Sequence, residues 1–143
     1  MEASLLIVDA SVVAKWLLPE PDRLLALRLQ ERYRSGEVTL LAPRVLLAEV
    51  GNALWKRVLR GDVTSEVAQL GFEQLCLDPP KLVDSNEVML SALQLALLHR
   101  QTIYDCLYLA LALERLCRLV TADEKFFRAT STVYPFVRLL RDF

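Results

Sequence analysis

The chain has little of what small proteins use as staples and what many enzymes use as tools. Its 143 residues include three cysteines, one histidine and four glycines. Cys76, Cys106 and Cys117 are odd in number, far apart and without CxxC spacing. That pattern argues against a disulfide framework or a cysteine zinc site and reads as small buried hydrophobes in a reducing compartment. With His99 alone, no histidine-based triad or histidine-rich metal site can be built. No glycine falls in a GxGxxG or Walker A pattern, so a dinucleotide fingerprint and a phosphate-cradling loop are both missing. Long hydrophobic runs are also absent. Cys106 to Leu113 is bounded by Asp105 and Glu114 and is far shorter than the roughly 20 residues a membrane helix needs. No basic stretch precedes Leu5 to Val8, as a secretion signal would require, so a cytoplasmic protein is expected. Nor is there an excess of one charge: 17 Lys and Arg stand against 18 Asp and Glu, which leaves no overall basic footprint for nucleic acid.

What the chain has in quantity is apolar surface. Hydrophobic residues make up 54% and mean hydropathy is +0.30, enough for a core without staples and against disorder. The surplus points to an oligomer or partner interface, and the length fits one domain, 1–143.

Short apolar runs alternate with helical periodicity. Ser4 to Val8 reads as a strand buried on both faces that stops at Asp9. Asp22 opens a helix with Leu25, Leu29 and Tyr33 in step, ending at Ser35-Gly36, and Val38 to Leu41 follows as a strand. Pro43 suits the first turn of a helix running to about Arg60 before Gly61. A helix from about Thr64 ends before Pro79-Pro80, and Lys81 to Val83 is a further strand. Ser85 or Asn86 is placed to cap a leucine-rich helix reaching His99, and another helix spans about Tyr104 to Leu116. Arg118 to Thr121 and Val133 to Val137 complete the strands, the last confined to an edge by Pro135. This alternation implies an α/β fold with a mostly parallel sheet between helical layers.

In such sheets ligands bind beyond the carboxyl ends of the strands. Asp9 and Asp123 stand there, although each is also placed to cap the helix that follows it. Asp105 begins a helix that reads as nearly all buried, where either the helix dipole or a partner must stabilise it. Glu49 shares a stripe with Asn52, Lys56 and Arg60 that reads equally as a solvated face. If these four acids converged, a divalent cation would have to offset their repulsion, and all-oxygen ligation favours Mg²⁺ or Mn²⁺.

Four segments together resemble the PIN-domain nucleases, especially the toxins of VapBC toxin–antitoxin pairs. They are Val8-Asp9-Ala10-Ser11-Val12 continuing to Lys15-Trp16 and Pro19-Glu20, then Glu49 to Leu54, Tyr104 to Ala112, and Val120 to Phe126. The resemblance covers nearly the whole chain, in the family's order and approximate spacing. It implies a PIN-like three-layer α/β/α sandwich of about four to five strands. It places Asp9, Glu49, Asp105 and Asp123 on the acids that hold Mg²⁺ or Mn²⁺ for hydrolysis of RNA by activated water. Ser11, Asn52 and Thr121 fall where hydroxyls and an amide would bond the carboxylates or the ion's waters. It further implies a homodimer and a small cognate antitoxin. Cys106 stands where the family usually has a small residue such as alanine.

Two competing classes remain at this level. A haloacid-dehalogenase-type phosphatase also has an acid after its first strand, but needs a second acid where Ser11 stands. A non-catalytic acid-pocket module of the phospho-receiver type needs a lysine after its last strand, and none follows Tyr134 to Val137. If four acids serve a metal site, the remaining surface is net positive, and RNA recognition becomes local, through the cleft and residues such as Lys15, Lys56 and Arg60.

Overall fold

A computed structural model describes residues 3–143, so Met1 and Glu2 of the expected 1–143 domain lie outside it. The chain runs β1 (Ser4–Val8), α1 (Ala10–Leu17), α2 (Arg23–Arg34), β2 (Val38–Pro43), α3 (Val45–Leu59) and α4 (Ser65–Leu77). It continues through β3 (Lys81–Val83), α5 (Met89–His99), α6 (Ile103–Arg115), β4 (Arg118–Thr121), α7 (Glu124–Thr130) and β5 (Val137–Leu139).

The sheet has five strands in the order β3-β2-β1-β4-β5, and every neighbouring pair is parallel. Leu6, Ile7 and Val8 are fully buried because helices cover both faces of β1, which is why its apolar run is unbroken. One helical layer forms from α1 packed on α2 and α3, with α4 against α3. In the other, α5 packs on α6, which covers β1, β2 and β4. The chain leaves β1 towards β2 and leaves β4 towards β5, so the order reverses between β1 and β4. That reversal opens a crevice at their carboxyl ends.

Several local expectations are corrected. The last strand is Val137–Leu139, not Val133 to Val137. Val133 and Tyr134 instead give their N–H groups to the Thr130 carbonyl and close α7, and Pro135 has none to give to a ladder. Pro43 does not open a helix but ends β2, beyond Leu41, where the pairing with β1 stops. Neither Ser85 nor Asn86 caps α5: the Asp84 carboxylate accepts the Asn86 N–H, and a single 3₁₀ turn, Asn86–Val88, precedes the helix. Asp22 takes a left-handed conformation before α2 and makes no cap bond. Among the cysteines only Cys106 is buried; Cys76 is exposed and Cys117 half-buried. Among the described residues no helix is long and apolar enough to cross a membrane.

Candidate active site

Asp9 is the first residue past β1, and its N–H donates to the Val120 carbonyl at 3.0 Å, which ties it to β4. Its carboxylate is 6% exposed and makes no cap bond to α1, so the capping role open to it in the sequence is not taken. Oδ2 accepts from Ser11 Oγ at 2.6 Å and from Thr121 Oγ1 at 2.9 Å. Ser11 Oγ in turn accepts from the Ala122 N–H, and Thr121 Oγ1 from the Asp123 N–H. Two hydroxyls thus lock β1, α1 and the turn after β4 into one unit around a single carboxylate oxygen.

Asp123 does cap its helix: Oδ1 accepts from the Phe126 N–H at 3.0 Å. A carboxylate has further lone pairs, so this bond orients the group without exhausting it. Asp105 lies in the first turn of α6, where Thr102 is the cap and its Oγ1 accepts the Asp105 N–H. The positive end of the helix favours a carboxylate there.

Glu49 departs from its solvated-face reading. It is half-buried on α3, and Oε1 accepts from the Tyr108 hydroxyl at 2.7 Å. Tyr108 is fully buried on α6, and sequence reasoning gave it no role. The available signal was its position one turn after Asp105, on the same side of that helix. Asn52 is one turn beyond Glu49, exposed, and among the described residues it makes no hydrogen bond to any of the four acids.

The acids are electrostatically coupled. Burial raises the Asp9 pKa against the lowering effect of Ser11 and Thr121, and the charge of Asp123 raises it further. Burial pushes Glu49 up to about 7, against the Tyr108 bond and with added repulsion from Asp9 and Asp105. Burial, then the charges of Asp9 and Asp123, pushes Asp105 up to about 6, while the Thr102 bond works the other way. Burial among these acids also raises Tyr108, which therefore stays a neutral donor. Asp9, Glu49 and Asp105 are each raised in part by the charges of others in the set, Asp123 among them, at the β1–β4 crevice. Among the described residues no group of three or more acids, histidines or cysteines stands close enough together to hold a metal ion without some adjustment. A hard cation that keeps several of its own waters suits such an open all-oxygen set better than zinc does. By donor type, and by their need for a counter-charge, these residues fit Mg²⁺ or Mn²⁺.

Ser11 is a hydrogen-bond donor to Asp9, not the second acid a haloacid-dehalogenase phosphatase would need. Comparison with known proteins gives the same direction as the geometry. Residues 6–131 match the model of the PIN domain. The chain is 34% identical over 122 residues to Ribonuclease VapC3 of Pyrobaculum aerophilum, covering 84% of this chain and 90% of that protein. It is 32% identical over 124 residues to Ribonuclease VapC1 of Mycobacterium tuberculosis, covering 83% and 86%. The fold is also similar to the crystal structure of PAE2754 from Pyrobaculum aerophilum, with a TM-score of 0.69, 21% identity, and coverage of 99% of this chain and 94% of that one. At that identity the last likeness concerns the fold alone. With the family model matched over most of its length, and two VapC ribonucleases similar across more than four-fifths of it, the chain belongs to the PIN-domain family, among its VapC-type members.

Proposed function

We propose that this protein is an Mg²⁺- or Mn²⁺-dependent endoribonuclease and the toxin of a two-gene toxin–antitoxin pair, acting in the cytoplasm. The observation that carries the reading is the crevice between β1 and β4, where Asp9, Glu49, Asp105 and Asp123 raise one another's need for a cation. Its curated relatives are named ribonucleases, which supports RNA as the substrate.

Asp9, Glu49, Asp105 and Asp123 would hold the ion, which when bound supplies a Lewis acid for activating water and offsetting charge on the phosphodiester. The protein's own part is orientation. Ser11 and Thr121 point Asp9, with Oδ2 as the shared acceptor. Tyr108 holds Glu49 by donating to Oε1, and the cap bond to the Phe126 N–H fixes the rotamer of Asp123. Outer partners of this kind typically matter 10–100-fold to affinity or rate, roughly, and loss of a direct ligand should cost more. In purified form the protein should cleave RNA with Mg²⁺ or Mn²⁺, and Asp9→Asn should lower that rate by more than about a hundredfold. Cleavage by Asp9→Asn in chelator at the wild-type rate would overturn the proposal.

The exposed apolar surface supports the expected partners. A groove of about 290 Å³ between α3 and α4 is lined by Leu54, Trp55, Val58, Ala68 and Phe72, on the helix that carries Glu49. We assign it to an apolar segment of the antitoxin. On α5, Leu90, Leu93 and Leu97 form a stripe with 68%, 45% and 73% exposure, which we assign to a second copy of the chain.

A further inference from the structure

Beside the carboxylates lies a second cleft. Ala122 and Glu124, on either side of Asp123, line a cavity of about 240 Å³ together with Lys15 of α1, Asp22 before α2, and Leu140 and Arg141 after β5. Ala122 is the link to the acids, because its N–H donates to the same Ser11 Oγ that orients Asp9. On the proposed function, whatever occupies this cavity sits beside the acids and so beside the bond they would hydrolyse.

Its charges are two of each sign. Arg141 Nη1 already pairs with Glu124 Oε1. Lys15 Nζ forms an ion pair with Glu20 Oε1 at 3.7 Å, too long for a hydrogen bond, and its side chain is only 12% exposed. Asp22 stands at φ 64°, a conformation that costs most residues free energy, and its carboxylate makes no cap bond to the helix it precedes. Among the described residues Asp22 takes part in no ion pair. Half-buried Lys15 and exposed Asp22 both line the cavity, and among the described residues neither the ammonium nor the carboxylate makes a hydrogen bond.

A cleft of balanced charge exerts little net pull on a second phosphate. It suits a flat, neutral group with donors on one side and acceptors on another, packed on an apolar wall such as Leu140. A nucleobase has that character, and guanine matches it best. Its N1–H and N2–H groups can both reach a carboxylate, while O6 and N7 accept from a lysine or arginine. Resting on the RNA-hydrolase reading, we propose that this cavity takes the base flanking the scissile phosphodiester and selects guanine, with Asp22 accepting from the Watson–Crick edge and Lys15 donating to O6. Contacts to base edges specify sequence, whereas phosphate contacts only position the strand.

Asp22→Asn tests this with little risk to the fold, because asparagine tolerates the left-handed conformation. End-sequencing of fragments from random-sequence RNA should show guanine enriched at one position beside the cut for the wild type. The variant should lose about tenfold of that enrichment. A uniform fall in cleavage across all sequences would mark a phosphate subsite and overturn the proposal. Binding gives a readout independent of cleavage: fluorescence anisotropy of labelled RNA hexamers differing at one base, measured with the Asp9→Asn protein. About tenfold tighter binding of the guanine hexamer, lost on adding Asp22→Asn, supports the cavity as a base site even if the wild type proves inactive on RNA. Equal affinity for all four hexamers overturns it, whether or not the wild type cleaves.

Discussion

Tyr108 holds a hydroxyl in the fully buried interior, and its bond to Glu49 Oε1, at 2.7 Å, joins α6 to α3 where the acids meet. A tyrosine there would be an expensive substitute for phenylalanine unless that bond mattered, since a buried hydroxyl needs a partner. Tyr108→Phe should leave the ring packing intact and remove the bond. Glu49 would then lose the interaction that lowers its pKa. We expect about tenfold weaker Mn²⁺ binding by calorimetry, with a stability loss of about 1–2 kcal/mol by denaturant titration. Unchanged ion affinity would reduce Tyr108 to a packing residue. At this scale the acids were visible in the sequence because each stands at the end of an apolar run or within a motif. Their partners were only partly visible. Ser11 is two positions from Asp9, but Thr121 reaches Asp9 from 112 positions away and the partner of Glu49 from a helix 59 positions away.

Among the elements, α3 and α5 differ most from what periodicity says of them. The stripe of Glu49, Asn52, Lys56 and Arg60 on α3 looks like one solvated face, yet its first residue is half-buried and the other three are exposed. Helical spacing gives the side of a helix but not where along that side a neighbour covers it, and here Tyr108 of α6 reaches α3 at Glu49. The leucine-rich α5 shows the reverse: Ala92 is its buried residue, while Leu90, Leu97 and Leu98 are mostly exposed. Leucines at such density without burial are a surface waiting for a partner. If α5 carries the proposed self-association, the wild type should elute and scatter as a dimer and the double variant Leu93→Glu/Leu97→Glu as a monomer, with little change in thermal stability. Trp55→Glu, in the α3–α4 groove, should instead keep the dimer and lose capture of the antitoxin. A dimer that survives the α5 variant would place the self-association elsewhere.

Across the whole molecule, the acids make stability depend on pH in an unusual direction. Glu49 and Asp105 are raised in the folded chain, from 4.5 to about 7 and from 3.8 to about 6. Between those limits the folded state binds more protons than the unfolded one. The stability they contribute is full below their ordinary carboxylate range and is lost as pH rises through the folded values. In chelator the wild type should thus lose melting temperature towards about pH 7 relative to a Glu49→Gln/Asp105→Asn variant. Saturating Mn²⁺ should reverse the trend, because the ion binds only the deprotonated carboxylates, so its stabilisation grows over the same window. Parallel melting curves for the two proteins in chelator would contradict the coupling of the acids.

The same scale separates what one-dimensional information carries. Strands β1, β2, β3 and β4 and the parallel arrangement were legible, because burial on both faces demands unbroken apolar runs and short connections favour parallel crossovers. The strand β5 was misplaced because Pro135 looks like part of a strand until the backbone of α7 claims the N–H groups before it. The near-zero net charge was legible as well, but only as a sum. Whether like charges stand apart or together is a property of the strand order β3-β2-β1-β4-β5, which places Asp9 beside Thr121 although 112 positions separate them. Sequence determines which residues are apolar, which are acidic and how far apart they lie along the chain. Only the tertiary structure decides which acids are desolvated together, because the pKa of a carboxylate depends on what closes over it and on which charges share its low-dielectric surroundings.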